Sequence, residues 1–194
     1  AFAKENPALD SGWKGTFGLK PEDTAMLPVH GRSWHDAKAF CEWLSHKESI
    51  TYRLPTDREW SYAVGIADKE DPKATPESLR QKLKTHFPWG TEWPPPKDAG
   101  NYGHVGTKAD FEREFPYLTP DSHPTIAPVM SYRPNALGIY DLGGNVGEWC
   151  EDAWDEAKTR RVLRGGMWTS YSPGYRLSSD RMNHAPDTRF AYWS

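Results

Sequence analysis

Three consecutive prolines, Pro94, Pro95 and Pro96, followed closely by Gly100, Gly103 and Gly106, constrain this chain more than any other stretch. Proline supplies no backbone N–H and fixes φ, so the run forbids helix and central strand alike, and the glycines behind it favour turns. Whatever regular structure exists must lie on either side. With 17 Pro and 16 Gly in 194 residues, the punctuation extends through the whole second half.

Before the prolines the text is helical. Residues 1–30 read as irregular, and then SWHDAKAFCEWL offers Ser33 as N-cap with Asp36 three positions on. Ala37, Phe40, Cys41 and Leu44 fall at helical spacing, which places Cys41 on the buried side. RLPTDREWSYAVG repeats this grammar, with Thr56 and Glu59 as a capping box, Trp60, Ala63 and Val64 as the apolar stripe and Gly65 at C′. TPESLRQKL predicts a shorter helix capped by Thr75, with Pro76 at its first position and Leu79 and Leu83 one turn apart. Beyond the prolines, residues 125–132, 138–142, 161–163 and 175–177 read as short antiparallel strands among long loops. Loops of that length in a compact domain are functional or tied down, and an ion is one such tie.

The bulk numbers exclude several classes. A net charge of −3 without a basic stripe argues against a nucleic-acid partner. No apolar run reaches the roughly 20 residues of a spanning helix, and the opening AFAKENPALD lacks the zones of a signal peptide. The chain is expected to be soluble. Ten Trp, nine Tyr and seven Phe against a mean hydropathy of −0.83 describe a core resting on aromatics. Cys41 and Cys150 allow at most one bridge; both are expected as free thiols, with a slight preference for a reducing compartment.

DLGGNVGEWCED, residues 141–152, is the densest chemical signal. It lacks the glycine order of a dinucleotide loop and the Lys-Ser/Thr of a P-loop, so phosphate is disfavoured. Two readings stay open: a tight turn with solvated acids, or a calcium-type oxygen cage from the Asp141 and Glu148 carboxylates with the carbonyls of Gly144 and Val146. Cys150 is followed by two acids, which disfavour a thiolate, and reads as packing. The seven histidines show no zinc spacing, and Ser170 has no GxSxG context. The last forty residues interleave Arg164, Arg176, Arg181 and Arg189 with Trp168, Tyr171, Tyr175, Phe190, Tyr192 and Trp193. They read equally as a recognition surface or as an aromatic core with buried ion pairs.

Taken in order, SWHDAKAFCEWL, YRLPTDREWSYA, FPWG, GNY, APV, PNALGIYDLGGNVGEW and VLRGGMW resemble the formylglycine-generating enzyme, or sulfatase-modifying factor, family. The resemblance implies an α+β fold, the sulfatase-modifying-factor variant of the C-type-lectin fold, with two main amphipathic helices, short antiparallel strands and long ordered loops. It implies one domain over 1–194 without the family's opening segment and final strand, belonging to a larger multidomain chain. It also implies two structural calcium sites, one from Asp141, Gly144, Val146 and Glu148, the other from Asn101, the carbonyl of Tyr102, Asp121 and the carbonyl of His123.

The family's oxidases hold copper on two cysteines a few residues after the GG of an RGG-like motif. This chain reads GGMWTSYSPGYR there, with Ser170 near the first cysteine's place and Gly174 or Tyr175 near the second. Copper(I) prefers soft sulfur, so neither copper nor formylglycine-generating activity is expected. Gly147, where the family usually carries Trp, is expected to leave a groove or a repacking. The favoured expectation is a calcium-stabilised, non-oxidase scaffold that binds a peptide or protein through Trp168, Ser170, Tyr171, Tyr175, Arg181, Asn183 and His184. The alternatives are an oxidoreductase of altered chemistry on a thiol substrate, as in the family's sulfoxide synthases, and a purely structural domain.

Overall fold

The computed structural model describes residues 2–6, 26–96, 98–102, 123, 125–170 and 172–189. Among the described residues four α-helices precede a small sheet: α1 (Phe2–Glu5), α2 (Trp34–Glu48), α3 (Asp57–Ala63) and α4 (Pro76–Leu79), then β1 (Glu148–Ala153), β2 (Arg161–Arg164) and β3 (Met182–His184). The strands form one antiparallel sheet in the order β1-β2-β3. Glu148 pairs with Arg164 and Trp149 with Leu163, and the register is interrupted between Trp149 and Ala153. On the other side of β2, Val162 pairs with Asn183. This is the expected α+β architecture, with irregular chain carrying most of the described residues of the second half.

The helix starts follow from the caps. Ser33 and Thr56 both form complete capping boxes, with Asp36 and Glu59 returning the bond to the cap N–H, and Gly65 takes φ +83° just past the C-cap of α3. Thr75 caps α4, with Pro76 in its first turn. The apolar face expected of α2 differs from the one observed. Phe40 is exposed and packs on Phe2 and Trp43, Cys41 is only half-buried, and the buried residue of α2 is Asp36, held by Arg189 at 2.7 and 2.8 Å. The reason is that α2 lies beside the sheet rather than over it, tied by Trp34 Nε1 donating to the Cys150 carbonyl and by Lys38 to Glu151.

α3 is the helix that covers the sheet. Trp60 packs with Cys150, Trp154 and Val162, flanked by Val64 and Leu142; Ile126, Val146 and Trp168 form a second cluster with Leu27. Cys150 is fully buried, as a packing thiol should be, and both cysteines are free. Of the four expected strands only 161–163 forms one. Residues 173–176 make a 3-10 turn, because Pro173 starts it and Tyr175 N–H bonds back to Ser172, while 125–132 and 138–142 are turns organised by side chains such as Asn135. β1 and β3 were not expected as strands.

Candidate metal loop and C-terminal segment

The turn from Asp141 to Glu148 is bent by three positive-φ residues, Asp141 at +56°, Gly144 at +81° and Asn145 at +61°. Gly144 is required here for a second reason: a Cβ on it would stand 2.3 Å from the Asn101 carbonyl oxygen. That close approach lets Asn145 N–H donate to the Asn101 carbonyl at 2.8 Å. The Asn145 side chain then bridges Ala127, accepting from its N–H at 2.9 Å and donating to its carbonyl at 3.1 Å, while Asn101 Nδ2 donates to Thr125 O at 2.6 Å. The carbonyl of Asn145 accepts from Trp168 N–H at 2.9 Å, so the carbonyl lying between the two expected ligand carbonyls, those of Gly144 and Val146, is engaged by protein.

The two carboxylates are arranged differently from solvated acids. One Asp141 oxygen accepts from Met130 N–H at 3.0 Å; the other, and Glu148 Oε2, are buried with no hydrogen-bond partner. Burial pushes both carboxyls above their ordinary range; for Glu148 the neighbouring Trp60 indole N–H works against this and Asp141's charge adds to it. A buried carboxylate oxygen without a partner is costly. Gly165, at φ +81°, makes room for Glu148: a Cβ there would lie 2.3 Å from Oε2. Asp141 also lines a cleft of about 570 Å³ shared with Trp89, Asp98, Tyr132, Arg133 and Ile139, which gives its carboxylate a path to solvent. Orphaned hard oxygens, bent backbone and an entry path fit an oxygen-ligated divalent cation.

Of the other expected calcium residues, Asn101 and Tyr102 are buried beside this turn, His123 meets Tyr132 at 3.3 Å through Nδ1, and Asp121 lies outside the described residues. Gly147 opens no groove. Leu163 fills the space, since a Cβ on Gly147 would stand 3.2 Å from Leu163 Cδ2.

The C-terminal segment is mostly interior. Trp168 is in the second core cluster, and Ser170 is buried, its Oγ accepting from Met167 N–H and its carbonyl from Arg176 Nε. Arg181, expected on a ligand surface, is fully buried between Asp57 and Glu70, to which its Nη atoms donate at 2.8–2.9 Å. Arg164 joins the same cluster through Asp57, Ser61 and the Ser178 carbonyl, its guanidinium 4.2 Å over the Trp60 ring. These three expected ligand residues are therefore enclosed by charge pairing and packing. Tyr175 is exposed, Asn183 and His184 are half-buried on β3, and Tyr171 lies outside the described residues. Asn183 accepts from Arg160 Nε, and burial together with Arg160 lowers His184 to about 4.

Sequence reasoning missed Asn145, Gly165, Asp57 and Glu70. The signal for the last two was present: four arginines among aromatics require counter-charges wherever they are buried, and Asp57 sits inside a capping box.

The sulfatase-modifying factor enzyme 1-like domain family matches residues 5–192. The chain is 32% identical to a formylglycine-generating enzyme of Streptomyces coelicolor over 204 residues, covering 91% of this chain and 54% of that protein. It is also 32% identical to the inactive C-alpha-formylglycine-generating enzyme 2 of Bos taurus over 171 residues, 84% of this chain and 46% of that one. It thus spans about half the length of these curated relatives. PvdO from Pseudomonas aeruginosa shares the fold, with a TM-score of 0.58 at 23% identity over 87% of this chain and 60% of its own. The chain belongs to the sulfatase-modifying factor enzyme 1-like domain family.

Proposed function

We propose that this domain is a non-oxidase member of its family, a calcium-stabilised scaffold that binds a peptide or protein ligand. The observation that carries the calcium reading is the pair of buried, unpartnered oxygens on Asp141 and Glu148. Asp141, Glu148 and the carbonyls of Gly144 and Val146 would hold the ion; Asn101, Tyr102, Asp121 and His123 would serve a second one. The ion supplies positive charge that compensates the buried carboxylates and closes a long loop, which is structural rather than reactive chemistry.

The non-oxidase reading rests on the thiols. The chain has only Cys41 and Cys150, the latter fully buried in the Trp60 cluster where burial pushes its thiol well up. Neither belongs to the segment after Gly166, where Ser170 stands instead. Ligand contact would fall to the exposed Tyr175 and to the half-buried Asn183 and His184 of β3.

Purified chain stripped with chelator tests both parts. Calcium should restore a higher melting temperature by mass action, copper(I) should bind no more tightly than to a reference protein without paired thiols, and a thiol peptide should bind without oxygen consumption. Tight copper or iron binding with oxygen uptake on a thiol would overturn the reading in favour of an oxidoreductase.

A further inference from the structure

Among the described residues, one other buried oxygen beside the metal loop lacks a partner besides those of Asp141 and Glu148: the hydroxyl of Tyr102. Tyr102 is 7% exposed. Its hydroxyl sits against the turn itself, because a Cβ on Gly143 would stand 2.3 Å from Oη, and its Cε1 lies 3.3 Å from where a Cβ on Gly166 would be. Gly143 is two residues from Asp141, and Gly166 follows the Gly165 that accommodates Glu148 Oε2. The ring is clamped: Trp89 meets it edge-on at 5.1 Å, the Arg176 guanidinium lies 4.9 Å over it, and a Cβ on Gly100 would stand only 3.0 Å from Cε2. A clamped ring has little freedom to turn its hydroxyl elsewhere.

A buried phenol hydroxyl ordinarily finds a partner. Here three buried oxygens of the same turn lack partners, two from carboxylates and one from a phenol, and Gly143 and Gly165 leave the room that Tyr102 Oη and Glu148 Oε2 occupy. A cation, or a water bound to it, would satisfy all three. We propose that Tyr102 joins the two calcium loops, its hydroxyl serving the Asp141/Glu148 site while its backbone belongs to the loop expected to build the second site. A phenol is protonated at neutral pH, so the hydroxyl acts as a neutral oxygen or as a donor to the ion's water and carboxylates. This inference rests on the calcium reading.

Tyr102→Phe in the intact 194-residue chain removes the oxygen and keeps the ring. Calorimetric calcium titration should show a tenfold to hundredfold loss of affinity at one site, the range for groups that orient ligands. In chelator the melting temperature should be equal to wild type or higher, since an unsatisfied buried hydroxyl has been removed, whereas Tyr62→Phe at an exposed position should change neither. Unchanged calcium affinity in Tyr102→Phe, with wild type binding calcium, would overturn the role of Tyr102. An equal fall in melting temperature with and without calcium would also overturn it, reducing the residue to packing. A wild-type chain that binds no calcium would instead overturn the calcium reading, and this inference with it.

Discussion

Arg181 and Asp57 lie 124 positions apart and meet in the interior, Arg181 Nε donating to both Asp57 carboxylate oxygens at 3.0 and 3.1 Å and Nη2 to one of them at 2.9 Å. The pair welds the start of α3 to the start of β3, and Glu70 completes the grip on the guanidinium at 2.8 Å. Removing one member of such a group strands a buried charge. Arg181→Met should lose about 3–5 kcal/mol in urea denaturation, the usual range for breaking a buried pair. Arg181→Lys should recover little, because an ammonium lacks the planar fork that spans two carboxylates. A loss below about 1 kcal/mol would mean the cluster contributes no net stability.

How much of this was legible in the sequence depends on the range of the interaction. Ser33 with Asp36, Thr56 with Glu59, and Gly65 past the end of α3 are settled within four or five residues, and the structure has them as read. The exposure of Phe40 and the partners of Arg181 were not legible, because each depends on what a distant segment places opposite: Asp57 and Glu70 for Arg181, and the lateral position of α2 for Phe40. The turn at Tyr175 is set locally, by Pro173 and Ser172, against the strand expected there. At the metal loop the sequence named the two carboxylates, while the feature that sets them apart, an unpartnered oxygen on each, exists only in three dimensions.

Asn145 is the residue through which the metal loop is fastened to the rest of the domain. Its side chain satisfies both backbone groups of Ala127, which is completely buried. Asn145→Ala should leave that N–H and carbonyl without partners, at about 1–3 kcal/mol each, and calcium affinity should fall with stability. Asn145→Asp should be no rescue, since it sets an acceptor against the Ala127 carbonyl. Thermal denaturation with and without calcium reads both effects, and a wild-type melting curve for Asn145→Ala would refute the fastening role.

Gly165 and Gly138 separate backbone strain from the demand for space. Both have positive φ, +81° and +76°, but a Cβ on Gly138 meets nothing within 4 Å whereas one on Gly165 would strike Glu148 Oε2. Gly138→Ala should therefore show only the cost of the left-handed backbone, of order 1–3 kcal/mol, with calcium affinity unchanged. Gly165→Ala should lose a similar amount and also displace Glu148, weakening calcium binding. Equal calcium affinities in the two variants would remove Glu148 from the site.

His184 sets the response to mild acid. Burial, with Arg160 adding to it, lowers this imidazole from 6.5 to about 4, and its ring stands edge-on to Trp149 at 6.5 Å. The unfolded chain takes up a proton near pH 6.5 that the folded chain refuses until about pH 4, so stability should decline as pH falls through that window and level off below it. Asp36 acts in a lower window. Burial pushes its carboxyl up, but Arg189 and Ser33 hold it at about 2, against 3.8 unfolded, so its contribution is present above pH 3.8 and is lost as pH falls toward 2. His184→Gln should therefore flatten the urea midpoint between pH 6.5 and 4 and leave the acid limb below pH 3.8 in place. A variant whose midpoint still falls as steeply as wild type between pH 6.5 and 4 would assign that slope to another group.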